Sequence, residues 1–300
     1  MSTAARVPAA TPHPPRPAWV PDALFPFRSR FVDLPAGRVH YVDEGRGPVL
    51  LMLHGNPTWS FLYRGLILRL ARRFRCVALD YPGFGLSTAA AGYAFTPAKH
   101  AATVDAFVRA LGLTGITLVV QDWGGPIGLA VAGRLPACFH ALVIGNTWAW
   151  PVNGDRHFER FSRLMGGRLG GALIRRFNAF VNVVLPAGCA RRKLDREAMA
   201  AYRGPFPTAE SRTPMHVLPG EILRSRAFLM EVENGLSRLR DRPVLITWGE
   251  RDFAFRARER ERFEALFPRH RTVVLRGAGH YIQEDAPEEM AAAIEEWSRS

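Results

Sequence analysis

Lysine is almost absent from this 300-residue sequence, although the chain is strongly basic, with 40 lysines and arginines together and a formal charge of +13. The only lysines are Lys99 and Lys193, so arginine carries nearly all of the positive charge. The arginines are scattered through segments of helical pattern and belong to no motif that binds nucleic acid. We therefore interpret the charge as a compositional bias and expect no nucleic-acid partner.

Cysteine is also scarce, and the three that occur, Cys76, Cys138 and Cys189, are widely spaced. An odd number of scattered cysteines argues against a disulfide framework and against a metal site. The apolar runs are too short to cross a bilayer, and residues 1–21 are rich in proline and alanine without the apolar core of a secretory signal. We expect a cytoplasmic protein without metal or membrane partner, in which residues 1–21 form a mobile N-terminal arm.

Short apolar runs alternate with helical patterns along the rest of the chain, which is typical of an α/β protein. Residues 31–34 and 38–42 predict an opening hairpin. Core strands are expected at six further places, residues 49–53, 76–79, 116–120, 141–144, 244–248 and 272–275. Helices are expected between them, among others at residues 62–74, 96–111 and 287–297. The prediction is a mostly parallel sheet flanked by helices.

The strand pattern stops between residues 151 and 238. Apolar side chains there recur at helical spacing, among them Phe158, Phe161, Leu164, Leu169, Leu173, Ile174, Phe177, Phe180 and Val181. Residues 191–202 predict another helix, and residues 205–219 a loop interrupted by prolines. A helical insertion between two strands predicts a cap over an active site, some of whose aromatic residues line an apolar pocket. We therefore divide the chain into a core at 22–150, a cap at 151–238 and the rest of the core at 239–300.

Residues 116–128, ITLVVQDWGGPIG, turn sharply from a buried strand into a helix around Asp122. The glycines beside Asp122 allow the strand and helix backbones to approach closely. This pattern is the nucleophile elbow of the α/β-hydrolase fold, in which the reactive side chain is more usually a serine. A carboxylate in that place favours displacement at saturated carbon over acyl transfer.

His280 follows the last predicted strand and takes the final place in the chain order nucleophile, acid, histidine. The acid that orients it is expected after one of two strands. The first of these ends near Asn146, which is not a carboxylate, whereas the second is followed by Glu250 and Asp252. We choose Asp252 because it lies further beyond the strand end, and keep Glu250 as the alternative. Six other histidines are interpreted as surface or structural residues: His40, His100, His140, His157, His216 and His270.

Asn56 and Trp123 supply the remaining polar groups. Asn56 lies in the HGNP segment at 54–57, where α/β-hydrolases place an oxyanion-hole loop, so the backbone N–H groups of Asn56 and Trp123 are expected to form that hole. Their side chains, an amide and an indole, are donors without positive charge. Two such donors beside a carboxylate nucleophile are suited to binding a departing halide ion.

Three motifs resemble those of haloalkane dehalogenases: HGNPTWSFLYR at 54–64, DYPGFGLS at 80–87 and VVQDWGGPIG at 119–128. The likeness extends from Pro21 to the C-terminus and is weakest in the cap. It implies a cytosolic enzyme without cofactor or metal that converts alkyl halides into alcohols. The combination of Asn146 with Asp252 resembles the subgroup with an Asp-His-Asp triad and an Asn–Trp halide pair.

The resemblance implies a reaction in two steps, with a small apolar halogenated substrate and water as reactants and a halide ion as product. Asp122 displaces the halide and becomes an alkyl ester, and His280, oriented by Asp252, then activates the water that hydrolyses the ester.

Other functions remain open. An epoxide hydrolase also uses an aspartate nucleophile, but it typically needs cap tyrosines, and Tyr202 is the only tyrosine of the predicted cap. Haloacetate dehalogenases favour arginine where this chain has Trp123. A non-catalytic binder of small ligands would have no need of Asp122, Asp252 and His280 together. Exposed apolar patches, if present, would favour a homo-oligomer.

Overall fold

The computed structural model describes residues 15–299, which are built around an eight-stranded sheet in the order β1-β2-β4-β3-β5-β6-β7-β8. The strands are β1 Arg30–Leu34, β2 Gly37–Glu44, β3 Val49–Leu53, β4 Arg75–Leu79, β5 Ile116–Gln121, β6 Phe139–Gly145, β7 Val244–Gly249 and β8 His270–Leu275. Strand β2 pairs antiparallel with β1 and β4, and all other pairs are parallel. The predicted α/β-hydrolase architecture, a mostly parallel sheet opened by a hairpin, is confirmed.

The α-helices among these residues are, in chain order, α1 Arg64–Leu70, α2 Pro97–Ala110, α3 Gly124–Arg134, α4 Arg156–Met165, α5 Arg168–Phe177, α6 Leu185–Ala187, α7 Arg196–Arg203, α8 Thr213–Arg224, α9 Arg226–Gly235, α10 Ala257–Leu266, α11 Ile282–Asp285 and α12 Pro287–Trp297. Helix α1 packs against α12, and α2 packs against α3. Strand β5 is buried along its whole length. Its mostly apolar, β-branched residues suit a central strand of a sheet that is covered on both faces.

Helices α4 to α9 lie between β6 and β7, within the segment predicted as a cap. Residues 205–212 form the predicted loop, but helix α8 runs from Thr213 to Arg224, so the prediction of a loop was wrong for residues 213–219. Pro214 lies in the first turn, where a helix does not need its N–H group, and the helix continues past Pro219. The carbonyl of Pro219 accepts a hydrogen bond from Ser162 Oγ of α4 at 2.7 Å, which fastens α8 to its neighbour.

The segment 191–202 was predicted to be one helix, but α7 begins only at Arg196. The side chain of Asp195 accepts a hydrogen bond from Ala198 N at 2.7 Å and so caps the start of α7. Upstream, the backbone N–H groups of residues 190–192 are bound by Asp285 and do not enter a helix. The chain therefore leaves the first part of the cap in an irregular segment that the Asp285 side chain holds in place.

The predicted N-terminal arm falls partly outside the described residues, because only its end, residues 15–21, belongs to them. This end packs on the protein. The ring of Trp19 meets Trp59 edge-on at 5.6 Å, and Arg16 Nη2 donates to the backbone oxygens of Phe25 at 2.6 Å and Phe27 at 2.9 Å. Apolar contact and hydrogen bonds thus attach residues 16–20 to the core, and the mobility of the arm stays a prediction.

Cys76, Cys138 and Cys189 are free thiols. Between residues 15 and 299, no helix is both long and apolar enough to span a membrane. Over the same range, no three side chains of histidine, cysteine, aspartate or glutamate are grouped so that they could hold a metal ion.

Candidate active site

Asp122 begins the turn from β5 into α3 with a φ of +49°, a conformation that residues other than glycine rarely adopt. The surrounding structure holds it there. Its backbone N–H donates to the carbonyl of Asn146 at 2.9 Å, and its carbonyl accepts from Gly125 N at 2.9 Å and from Thr147 Oγ1 at 2.6 Å. A Cβ on Gly125 would lie 1.9 Å from Thr147 Oγ1, so only glycine fits. The predicted elbow is thus a strained turn fixed by its neighbours.

The carboxylate of Asp122 is half-buried and accepts hydrogen bonds from two backbone N–H groups. Its Oδ2 accepts from the backbone N–H of Asn56 at 2.7 Å, and the backbone N–H of Trp123 also donates to it. Burial raises the pKa of Asp122, and His280 together with the two N–H groups lowers it again, with a net pKa above the usual range.

His280 Nδ1 lies 3.0 Å from Asp252 Oδ2. Asp252 is held in turn, because Asn146 Nδ2 donates to its Oδ2 and the backbone N–H of Ala254 donates to its Oδ1, both at 2.6 Å. Burial lowers the pKa of His280, but the carboxylates of Asp252 and Asp122 outweigh burial and raise it above the usual value.

Glu250, the alternative acid, accepts a hydrogen bond from Gly277 N at 2.8 Å in an exposed position. The structure therefore brings Asp252 to His280 and leaves Glu250 turned to the neighbouring loop.

Asn56 and Trp123 border the same cavity as Asp122 and are nearly inaccessible to solvent, with 4% and 2% of their surface exposed. One hydrogen of the Asn56 amide is engaged, because Nδ2 donates to the backbone oxygen of Met215 in α8 at 3.1 Å. An amide nitrogen carries two hydrogens, so one donor of Asn56 remains available. The Trp123 ring meets Trp148 edge-on at 4.6 Å, which fixes its orientation.

The cavity over Asp122 encloses about 90 Å³. Its walls are apolar and come from the cap and from the loop after β7, chiefly from Phe158, Phe161, Phe180, Val184, Phe253 and Phe255. Other apolar residues of the cap face solvent instead, since Leu169 is 65% and Phe177 is 59% exposed. The apolar side chains of the cap therefore do not all line the cavity.

Three residues in or beside this site were not assigned to it from the sequence. His157 was interpreted as surface or structural, yet it lines the cavity, with its Nε2 at 2.9 Å from the oxygen of Ala254. The hydroxyl of Tyr281 donates to the backbone oxygen of Asn56 at 3.2 Å. Gln121 Nε2 lies 3.0 Å from His280 Nε2. Each contact joins segments far apart in the chain, and only the position of Gln121 beside the nucleophile could have drawn attention to it.

The chain is similar in sequence and in structure to known proteins. A family model for the alpha/beta hydrolase fold matches residues 48–287. The chain is 44% identical over 273 residues to haloalkane dehalogenase 2 of Mycobacterium bovis, covering 90% of this chain and 95% of that protein. It is 32% identical over 284 residues to a cis-3-alkyl-4-alkyloxetan-2-one decarboxylase of Shewanella oneidensis, covering 91% and 89%.

Among solved structures, a haloalkane dehalogenase from Bradyrhizobium elkani superposes with a TM-score of 0.82 at 29% sequence identity, covering 90% of this chain and 97% of that one.

Proposed function

This chain belongs to the haloalkane dehalogenase family and is a hydrolase that acts on carbon–halide bonds, and we propose that it does so through a covalent ester on Asp122. The observation that carries the proposal is a group of polar side chains beside an apolar cavity. The Asp122 carboxylate lies there with the His280–Asp252 pair and with the uncharged donors of Asn56 and Trp123.

In the first step, an oxygen of Asp122 forms a bond to the substrate carbon while the carbon–halogen bond breaks. The halide leaves with the electron pair and is received by the free amide hydrogen of Asn56 and the indole N–H of Trp123. The contact with Met215 fixes the Asn56 amide before the halide forms. Donors that are already oriented stabilise developing charge without a cost of reorganisation.

In the second step, water attacks the carboxyl carbon of the ester and transfers a proton to His280 Nε2. The resulting oxyanion is stabilised by the backbone N–H groups of Asn56 and Trp123, and the departing alcohol takes the proton from His280. Ester formation removes the negative charge of Asp122, which is one of the two charges that raise the pKa of His280. The pKa of His280 therefore falls in the intermediate, and the histidine is ready to act as a base.

Epoxide hydrolysis is less well supported. The hydroxyl of Tyr202 donates to Glu284 in a buried position and does not line the cavity. Tyr281 does line the cavity, but its hydroxyl is engaged by the backbone oxygen of Asn56. Among residues 15–299, no tyrosine that lines the cavity has a hydroxyl free to protonate an epoxide oxygen.

A second candidate is the decarboxylation of a cis-3,4-dialkyl oxetan-2-one, which would release carbon dioxide. It is supported by the relative from Shewanella oneidensis, whose similarity extends over 91% of this chain. The higher identity to the mycobacterial dehalogenase favours the dehalogenase assignment.

The test compares wild type with Asp122→Ala on 1-bromobutane, with an epoxide and a cis-3,4-dialkyl oxetan-2-one in parallel. Asp33→Ala is the matched control, because the Asp33 side chain is 68% exposed at the edge of the sheet. Bromide and butanol from wild type and the control, but not from Asp122→Ala, are expected. A diol or carbon dioxide without bromide would transfer the assignment to one of the other two reactions.

We also propose a cytoplasmic location, because a reducing compartment suits a chain whose three cysteines are free thiols.

A further inference from the structure

Gln121 is the last residue of β5 and directly precedes the nucleophile. Its side chain is fully buried and meets His280 at two points. Gln121 Nε2 lies 3.0 Å from the ring nitrogen Nε2 and 3.2 Å from the backbone oxygen of the same histidine. The glutamine thus contacts the ring atom that the proposed reaction uses as its base.

The orientation of the Gln121 amide follows from its two contacts. The backbone oxygen of His280 can only accept a hydrogen bond, so the NH2 group must face it. Turning the amide over would bring Gln121 Oε1 against that oxygen, and two acceptors repel each other. The NH2 group therefore also donates to the ring Nε2. A ring nitrogen that accepts a hydrogen bond carries no proton, so the ring proton is on Nδ1, which faces Asp252 at 3.0 Å.

Two carboxylates favour the protonated form of His280, Asp252 from the loop after β7 and Asp122 from the elbow. The other neighbours are uncharged groups. The rings of Phe253 and Phe255 lie at 5.8 and 5.6 Å, the ring of Tyr281 lies at 4.6 Å, and the carbonyl of Gly188 accepts the backbone N–H of His280. The thiol of Cys189 comes next in the chain, and burial raises its pKa, which keeps it neutral.

The two carboxylates favour the protonated ring of His280. Among the described contacts of the ring, one hydrogen bond favours the neutral form instead, and Gln121 donates that hydrogen bond. A hydrogen bond to one protonation state stabilises that state at the expense of the other.

We propose that Gln121 is a positioning residue that keeps His280 in its neutral form, with the lone pair on Nε2 available to the hydrolytic water. The proposal rests on the proposed function, since the role of His280 as a base is part of it. Gln121 and a water molecule are both donors to the same lone pair, so water takes over the hydrogen bond when the ester is hydrolysed. The glutamine acts through His280 and is not among the residues that line the cavity.

The test uses two substitutions in the full-length protein. Gln121→Leu has a similar size and removes the donor, and Gln121→Glu replaces the donor by a carboxylate that accepts. Gln283→Leu is the matched control, because Gln283 is another buried glutamine, 2% exposed, that does not line the cavity. The measurements are the NMR titration of the His280 ring in the free enzyme and the pH dependence of ester hydrolysis in a single turnover.

Loss of a hydrogen bond that favours the neutral form should raise the pKa of His280 by about one pH unit in Gln121→Leu. The rise should be larger in Gln121→Glu, because a third carboxylate favours the imidazolium. Since His280 must be unprotonated to act, the acid limb of hydrolysis should move to higher pH by the same amount. Gln283→Leu should leave both the titration and the limb unchanged.

A pKa of His280 in Gln121→Leu that is unchanged or lowered would overturn the proposal, even if turnover were slower, because slower turnover alone would also follow from poorer packing. The titration needs no substrate, so it decides the role of Gln121 independently of dehalogenation. If wild type releases no halide, the proposed function fails, and a shifted titration would still support the effect of Gln121 on the ring.

Discussion

Gly55 and Asp122 approach each other so closely that a side chain on Gly55 would occupy the place of the Asp122 carboxylate. A Cβ on Gly55 would lie 2.3 Å from Asp122 Oδ2 and 2.4 Å from Asp122 Cβ. This approach lets the next residue, Asn56, donate its backbone N–H to the carboxylate. The glycine of the HGNP segment is therefore required by the position of the reacting oxygen.

Gly55→Ala should displace the Asp122 carboxylate while the sheet remains folded. A misplacement of roughly 1 Å at a reacting group costs about 100-fold in rate, and we expect a loss of at least that order in halide release. Gly235→Ala is the control, because its nearest neighbouring atom, Gly133 Cα, would lie 3.5 Å from the added carbon. A Gly55→Ala enzyme with wild-type rates would contradict the geometry of the elbow.

Trp123 should contribute through its indole N–H, since its ring already packs against Trp148. Trp123→Phe keeps an aromatic ring and removes the donor, and we expect the barrier to alkylation to rise by about 2–4 kcal/mol, as for loss of an oxyanion donor. Single-turnover bromide release measures this directly. Trp150→Phe, outside the cavity, serves as the control, and an unchanged rate for Trp123→Phe would remove the halide role from that residue.

At the scale of the elements, secondary structure was predicted well in segments with an uninterrupted pattern of apolar residues. It was predicted less well in segments rich in proline. Helix α12 was predicted at 287–297 and lies there, because Pro287 starts it and its apolar spacing is regular. The first part of α8, residues 213–219, was predicted as a loop because prolines usually end helices, but contacts with α4 support the helix past Pro219. The local pattern of apolar residues and prolines predicts a helix correctly only where tertiary packing does not override it.

The candidate site divides in the same way. The grouping of Asp122, Asp252 and His280 could be predicted because each follows a strand in a fixed chain order, and parallel strands end at one edge of the sheet. His157 and the contact of Gln121 with His280 could not be identified, since both depend on side-chain placement across distant segments.

Asp285 joins the cap to the loop that carries His280. Its carboxylate accepts backbone hydrogen bonds from residues 190–192 at 2.8–3.1 Å and from Gly279 N at 2.7 Å. Asp285→Ala should lower the free energy of unfolding by about 2–3 kcal/mol, because the buried N–H group of Gly279 loses its acceptor at about 1–3 kcal/mol and the more exposed N–H groups of residues 190–192 lose theirs at a smaller cost. Urea unfolding measures this, with the exposed Asp33→Ala as the control. Equal stability of the two variants would show that other groups or water satisfy these N–H groups.

At the scale of the whole molecule, α5 presents an apolar face to solvent. Leu169, Leu173 and Phe177 follow one another at four-residue spacing and are 65%, 39% and 59% exposed. Exposed apolar patches of this kind mark interaction surfaces, and we propose that this one supports a homo-oligomer.

Sedimentation velocity over a range of concentrations should then show self-association that weakens in Phe177→Ser. Leu68→Ser is the control, because Leu68 is 50% exposed on α1, outside the cap. Phe177 does not line the cavity, so halide release per chain should stay unchanged in both variants. A wild-type protein that sediments as a single monomeric species at all concentrations would rule out this surface as an oligomer contact.

The proposed mechanism depends on a covalent ester at Asp122, and the most direct measurement is to trap that ester in His280→Phe. This substitution keeps an aromatic ring packed against Phe255 and removes the proposed base. We expect one bromide per enzyme from 1-bromobutane and, by peptide mass spectrometry, one butyl group on Asp122. The exposed His140→Phe should turn over repeatedly and carry no label. Repeated turnover by His280→Phe, or a burst of bromide without a butyl group on Asp122, would contradict the mechanism.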